Sequence, residues 1–264
     1  MISKRKRVHR KNPTFWTPVL ASALLLMSSL VASADQYDVT VRGSDAIFLA
    51  GRTDVIIPPP NEPWTFLARH GDSTPEEIQE TYPTSVPISS EEVVTFSNAQ
   101  GGINFFNGFG PPYYGPSGNG TSGSNLTSLD GISGYSGPEG PLAGVFLNSS
   151  MPPTGGPAPT TLDFTNGGIG IDFETLAPEL GQIFYIGDGE TTSGAIQRFV
   201  APENATELFL GIPDGFNFDD QPGYYDDNDG SYQVSVNVVP IPPAVWLLGS
   251  GLIGLVGIRR KFKK

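Results

Sequence analysis

Residues 219–232, with the sequence DDQPGYYDDNDGSY, hold five aspartates within eleven positions. Because like charges repel each other unless they are protonated, solvated or neutralised by a cation, such a stretch is either a solvated turn or a cation site. A hard cation such as calcium takes several oxygen ligands from carboxylates, amides and backbone carbonyls. This stretch offers all three, so the sequence predicts a calcium site, with a solvated acidic turn as the alternative.

The spacing excludes one common kind of calcium site, the helix–loop–helix EF-hand. Its loop needs a glycine at position six and oxygen ligands at positions one and twelve. With Gly230 as that glycine, Tyr225 falls at the first ligand position and Val236 at the twelfth. A calcium site in this stretch must therefore belong to another class.

Signals for catalysis are few, so the sequence favours a protein that is not an enzyme. The predicted mature body has one histidine, His70, and the chain contains neither a cysteine nor a G-x-S-x-G motif. A carboxylate pair for glycoside hydrolysis could be drawn from 27 acidic residues, but nothing selects one. The tyrosine pairs at 113–114 and 224–225 are candidate sugar platforms, although tyrosines more often pack turns.

The acidic stretch must be positioned by strands, because the body shows β-type patterns throughout and no sustained helical period. The run SYQVSVNV at 231–238 alternates apolar and polar residues, as a half-buried strand does. Six further runs have β-rich composition, at 37–42, 93–97, 143–147, 182–186, 196–201 and 207–212. These patterns predict an all-β domain over residues 35–238, arranged as an antiparallel β-sandwich.

Two parts of this domain are predicted to depart from that pattern. Residues 107–141 are rich in Gly, Ser and Pro and low in aliphatic residues, which predicts a long loop. Residues 74–80, TPEEIQE, are predicted to form a single capped turn of helix at most.

The segment 194–238 resembles the C-terminal half of the bacterial calcium-dependent galactophilic lectins, which share a galactose-binding-like β-sandwich of the jelly-roll type. The residues that carry the resemblance are Arg198-Phe199-Val200-Ala201-Pro202, Asp220, Pro222-Gly223, Tyr225, Asn228 and Gly230-Ser231-Tyr232.

The resemblance implies one calcium ion and a set of ligands for it. These are Asp220, the backbone carbonyl of Tyr224, Asp227 and Asn228, with a fifth ligand from the backbone near Phe105 or Phe106. In that family the remaining positions on calcium take two hydroxyls of a galactose-type sugar, so the same residues are the predicted ligand-binding site.

Charge is distributed very unevenly along the chain. The body carries 27 acidic residues against four arginines, whereas both ends are basic. A body this acidic repels nucleic acid and anionic lipid, so we predict no nucleic-acid partner. It suits a divalent cation or a neutral, hydroxyl-rich ligand; solubility alone is the alternative explanation.

The N-terminal residues 1–34 have the organisation of a secretory signal peptide. A basic segment at 4–11 precedes an apolar run at 17–32, and Ala32-Ser33-Ala34 supplies a small-residue cleavage site. The predicted mature chain begins at Asp35.

The C-terminal residues 239–264 combine a proline-broken stretch, VPIPP, with an apolar segment at 244–258 and a basic end. This order predicts a short transmembrane helix over 244–258 with a cytoplasmic tail. It resembles the PEP-CTERM sorting signals of the V-P-L-P-A type. The residues that carry this resemblance are Val239, Pro240, Pro242, Trp246, Arg259 and Arg260.

The sorting resemblance implies an exosortase-type processing protease, a transient stay in the inner membrane, and delivery to the cell surface or extracellular matrix of a Gram-negative bacterium. We therefore expect an exported calcium-dependent carbohydrate-binding module associated with exopolysaccharide, whose partner is a neutral polysaccharide or galactoside. Two alternatives stay open: a structural biofilm-matrix protein whose calcium only stabilises a loop, and a hydrolase with an unrecognised site.

Overall fold

The computed structural model describes residues 34–60, 62, 64–70, 79–105, 110–149, 152 and 155–240. The predicted signal peptide, apart from Ala34, and the sorting segment after Pro240 lie outside these residues. So do Phe106 and nearly all of the predicted helical turn at 74–80. Within the described part, no helix has the length and hydropathy that a membrane span requires.

The described residues form an all-β structure with twelve strands. They are β1 Asp35–Arg42, β2 Thr84–Pro87, β3 Val93–Asn104, β4 Asn119–Leu126, β5 Tyr135–Glu139, β6 Ala143–Leu147, β7 Thr175–Leu176, β8 Ile183–Tyr185, β9 Arg198–Val200, β10 Glu207–Gly211, β11 Asp219–Asp220 and β12 Asp229–Val239. Short 3₁₀ turns occur at Ile47–Leu49, Phe216–Phe218 and Tyr225–Asp227.

The strands form three sheets, most of whose pairs are antiparallel. One has the order β1-β12-β3-β9-β7, the second β2-β10-β6-β8 and the third β11-β4-β5. The pairs β7–β9 and β11–β4 are parallel. All seven strands predicted from the sequence are present, with β3 and β12 longer than their patterns indicate.

The two larger sheets share one apolar core, which gives the fold a β-sandwich-like character. Phe199 of β9 contacts Phe184 of β8 across the core, with ring centroids 5.1 Å apart, and Phe96 of β3 at 5.3 Å. Along β12 the predicted inward residues are all buried: Tyr232, Val234, Val236 and Val238. This burial of alternate residues fixes the register of β12, because a shift by one residue would expose all of them.

Residues 107–141, predicted as a long loop, contain the antiparallel pair β4–β5 in the described part. Leu126 pairs with Tyr135 and both side chains are buried, whereas the rest of β4 is glycine, serine, threonine and asparagine. Sheet pairing uses backbone groups that every non-proline residue has. A strand with few apolar side chains can therefore form while leaving no alternating pattern in the sequence.

β3 and β12 approach each other so closely that two positions require glycine. Gly101 has φ +105° and Gly230 has φ +100°, in the region that L-residues rarely adopt. A Cβ atom at Gly101 would overlap the carbonyl oxygen of Ser231, and one at Gly230 would overlap that of Gly102. These glycines therefore let β12 begin pairing immediately after the acidic stretch.

Candidate functional site

The segment between β10 and β12, residues 212–228, brings a buried carboxylate and a buried amide together. Asp214 and Asn228 are 3% and 1% exposed. The Asn228 Nδ2 donates to Asp214 Oδ2 at 2.6 Å and to the Gly43 carbonyl at 3.0 Å. The other Asp214 oxygen, Oδ1, accepts from the Gly215 N–H at 2.7 Å. Asp214 and Asn228 thus form the centre of the candidate site.

A buried tyrosine fixes the backbone that carries Asp214. The Tyr225 hydroxyl donates to the Ile212 carbonyl at 2.7 Å and accepts from the Asp214 N–H at 3.2 Å. Tyr225 is fully buried. Of the tyrosine pair 224–225, Tyr225 therefore packs the turn, and only Tyr224 is placed where a ligand could contact it.

Negative charge accumulates around Asp214. Burial raises the pKa of Asp214 well above its ordinary value, the hydrogen bond from Asn228 opposes this, and the charges of Asp227 and Asp226 raise the pKa further. A group in this position is costly to ionise alone. A bound cation would reverse the balance by favouring the ionised form.

His70 lies against the two neighbouring aspartates. Its Nδ1 is 3.2 Å from Asp226 Oδ1, and its backbone N–H donates to Asp226 Oδ2 at 3.1 Å. Its Nε2 is 3.8 Å from Asp227 Oδ2. His70 therefore closes one side of the acidic centre.

A cavity of about 130 Å³ opens at this centre. Its lining combines acidic and aromatic side chains: His70, Phe105, Asp214, Phe216, Phe218, Tyr224 and Asp227, with Gly215 and Asn217. Phe105, near which the sequence predicted a fifth ligand, is part of this wall. The volume is that of a few water molecules, which suits an ion and the hydroxyl groups of a ligand.

One further observation supports a fit between these residues and a calcium ion. The Asn228 Oδ1 is buried and has no hydrogen-bond partner among the described residues. Buried polar atoms nearly always have a partner, so this oxygen is available to a ligand. Within the described ranges no three Asp, Glu or His side chains are grouped to hold a metal. A site here would need amide and carbonyl oxygens as well, which is usual for calcium.

The four ligands predicted from the sequence do not all lie in one place. Tyr224 and Asp227 line the cavity, and Asn228 donates a hydrogen bond to Asp214, which also lines it. Asp220 is exposed and lines a neighbouring hollow instead. Its carbonyl accepts from the Thr127 N–H at 2.7 Å and from the Thr127 hydroxyl at 2.9 Å. Its role as a ligand stays a prediction.

Sequence reasoning did not single out Asp214. The residue lies in the run GIPDGF, where Asp followed by Gly is typical of a turn. Its position three residues after the end of the strand β10, fourteen residues before Asn228, is the signal that could have identified it.

A row of rings leads from the cavity to the surface. His70 contacts Tyr224 edge-to-face, with centroids 4.9 Å apart, and Tyr224 contacts Phe216 at 5.1 Å. Phe216 is 56% exposed although it is a large apolar residue. The site therefore presents an apolar surface beside its acidic centre.

The backbone of this segment is strained. Asn217, Phe218, Asp220 and Tyr224 all have φ between 50° and 63°. The left-handed conformation costs about 1–2 kcal/mol for an ordinary L-residue. Such residues persist where the surroundings hold them, often at ligand sites. Here the buried ring of Phe218, 5.7 Å from Phe105, supplies part of that hold.

A larger cavity lies elsewhere and contains none of the predicted site residues. It has a volume of about 540 Å³ and lies beside Arg52, Tyr82 and Phe209. Arg52 is ion-paired with Asp54 and Asp130, at 2.7 and 3.2 Å. Its charge is thus already neutralised, and the cavity offers no comparable chemistry.

Comparisons with known proteins identified no similar protein. Neither protein-family models, nor curated proteins, nor solved structures gave a match to the chain.

Proposed function

We propose that the protein binds neutral carbohydrate through a calcium ion held by Asp214, Asp227 and Asn228 together with backbone carbonyls. The observation that carries the proposal is the buried Asp214–Asn228 pair, in which Asp214 lines a cavity and the Asn228 Oδ1 has no partner among the described residues. Calcium, when bound, would offer open coordination positions to two hydroxyls of a sugar.

The chain's own residues would orient the sugar and disfavour negatively charged sugars. Tyr224 and Phe216 provide an apolar wall against which the C–H face of a sugar ring can pack. Asp226 and Asp227, with the acidic body around them, repel carboxylated or sulfated sugars. The site therefore favours neutral sugars, of which galactosides are the class that the lectin resemblance implies.

There are two alternative sets of residues that would coordinate calcium, and they differ in one carboxylate. The lectin resemblance implies Asp220, whereas the packing of the segment favours Asp214, which contacts Asn228 directly. Both sets contain Asp227, Asn228 and the carbonyl of Tyr224.

Calorimetric titration of the full-length chain with calcium distinguishes the two sets. We expect Asp214→Asn to weaken calcium binding by at least about tenfold and to remove most of the calcium-induced rise in Tm, since only the folded state binds the ion. Asp220→Asn should bind calcium within about twofold of the unchanged chain, a difference under 0.5 kcal/mol. The reverse order would favour the Asp220 set, and no heat in either chain would refute the calcium proposal.

Glycan-array binding with calcium and with EDTA tests the carbohydrate step. We expect binding to neutral glycans that EDTA abolishes. Calcium-dependent melting without glycan binding would instead favour the structural matrix protein, and cleavage of a polysaccharide would favour a hydrolase.

The location of this activity is proposed from the sequence alone. The basic and apolar segment before Asp35 and the proline-broken segment after Val239 support export and exosortase-type sorting. A carbohydrate-binding protein delivered to the cell surface or matrix would meet exopolysaccharide there, which is consistent with a neutral polysaccharide as its ligand.

A further inference from the structure

A second, wider hollow of about 350 Å³ adjoins the cavity at Asp214. Phe216, Asn217 and Tyr224 line both, so the two are neighbours on one surface. Its remaining wall consists of Ala68 and three polar residues, Asp219, Asp220 and Gln221, which are exposed.

The hollow combines the two kinds of contact that a sugar ring requires. A pyranose has a face of C–H groups and a rim of hydroxyls. The half-exposed ring of Phe216, supported from behind by Tyr224, offers a surface for the face. The carboxylate of Asp220 and the amide of Gln221 offer hydrogen-bonding groups for the rim. Ligand pockets typically combine apolar walls with a few placed polar groups in this way.

The walls of the hollow are fixed before any ligand arrives. Phe218 anchors one end of the segment in the core. At the other end the Asp220 carbonyl is bonded to Thr127, and Asn125 Nδ2 donates to Asp219 Oδ1 at 3.2 Å. A surface ordered in advance loses less entropy when it binds. Phe216 thus lies on a segment that is held at both ends.

We propose that this hollow is a second sugar subsite, so that the protein binds a chain of neutral sugars rather than a single terminal sugar. The inference rests on the proposed function, because the first sugar occupies the cavity at Asp214 and Asp227. Phe216 is the platform for the second sugar, and Asp220 and Gln221 contact its hydroxyls. Asp220 then acts on the sugar and not on the calcium.

The test compares the binding of short and long ligands to the full-length chain. All titrations are made in one buffer that contains calcium and a detergent without a sugar head group. The probes are the methyl glycosides of galactose, glucose and mannose and the matching linear tetrasaccharides, titrated by calorimetry. For the sugar that binds, we expect the tetrasaccharide to bind about three- to tenfold more tightly than the methyl glycoside. Phe216→Ala should weaken binding of the tetrasaccharide more than binding of the methyl glycoside, so that the gain is lost, while the Kd for calcium stays within about twofold.

Two control variants separate the ring from general effects of the substitution. Phe216→Tyr keeps the ring and should keep the gain. Ile196→Ala removes an equally exposed apolar side chain, 57% exposed, far from the lining residues in sequence, and should change nothing.

The outcomes distinguish this inference from the proposed function. If calcium and the methyl glycoside bind but the tetrasaccharide binds no better, or if Phe216→Ala keeps the gain, the second subsite is refuted and the proposed function stands. If no sugar binds in calcium, the proposed function fails and the subsite with it.

Discussion

At the scale of single residues, the hydroxyl of Tyr225 links the fold to the site. It contacts the backbone of Ile212, at the end of β10, and the backbone of Asp214. The phenol therefore determines where the Asp214 carboxylate lies relative to Asn228. A group that orients a metal ligand without touching the metal typically changes affinity by about 10–100-fold when it is removed.

Tyr225→Phe should therefore lower both stability and calcium affinity. We expect the free energy of unfolding to fall by about 1–3 kcal/mol, because buried backbone groups lose a partner. We expect the Kd for calcium to rise about tenfold. Urea unfolding in EDTA measures the first effect and calorimetry the second.

Tyr232→Phe is the matched control for this substitution. The Tyr232 hydroxyl is also buried and donates to the Gly140 carbonyl at 3.0 Å, in the core. Its loss should cost about 0.5–1.5 kcal/mol of stability with calcium affinity unchanged. Equal loss of calcium affinity in both variants would mean that Tyr225 has no positioning role.

Sequence reasoning at this scale named Asp220, Tyr224, Asp227 and Asn228, whose functional roles stay predictions, and passed over Asp214. The four named residues lie within nine positions, so a local pattern contains them. Asp214 joins them only because the chain turns back over the thirteen residues between it and Asn228. Local charge patterns cannot report such a contact.

At the scale of elements, β12 and its neighbour β3 hold the acidic segment in place. β12 begins at Asp229, directly after Asn228, and pairs with β3 from Asn104 onwards. The glycines at 101 and 230 permit this pairing. A bulky residue at either position would disturb the strand that supports the site.

Gly101→Ala should destabilise the protein by more than about 2 kcal/mol, because an L-residue is strained at φ +105° and its Cβ would overlap β12. Gly115→Ala is the control: a Cβ there meets no atom within 4 Å among the described residues. Its effect should stay within about 0.5 kcal/mol. Thermal unfolding of both variants provides the measurement, and equal Tm values would contradict the prediction.

The seven predicted strands all have apolar or alternating side chains, which is why their patterns were visible. β4 and β5 were not predicted, because their strands consist largely of small and polar residues. β2, β7 and β11 have only two to four residues, too few to establish a period. Pairing between distant segments, rather than local propensity, determines such strands.

At the scale of the whole molecule, several buried acids make stability depend on pH. Burial raises the pKa of Asp45, Glu80 and Asp214. The pKa of Glu80 is raised even though Arg69 forms an ion pair with it at 2.5 Å, which opposes the effect of burial. An acid whose pKa is higher in the folded state binds its proton more tightly there. Its contribution to stability is complete below the unfolded pKa, about 4, and is lost as the pH rises through the folded pKa.

The calcium-free protein should therefore be less stable at pH 7 than at pH 5. Repulsion within the acidic body acts in the same direction. Urea unfolding in EDTA at several pH values measures the trend, and Asp214→Asn should reduce its slope. A free energy of unfolding that rises steadily from pH 5 to pH 7 would contradict the prediction.

Below about pH 4 the trend should reverse. Hydrogen bonds from Ser235 to Asp38 and from Thr165 to Asp163 lower the pKa of these carboxyls. The stability that they contribute is present above the unfolded pKa and is lost as the pH falls through the folded pKa.

The direction of β12 bears on how the protein would meet its surroundings. Asp35 pairs with Val238, so the first and last strands of the described domain have their outer ends side by side, at the same end of the β1–β12 pair. Asn228 precedes the opposite end of the strand, and eleven residues of extended chain cover about 35 Å. An anchor joined after Pro240 would consequently hold the domain with the loops of the proposed sugar site pointing away from the support.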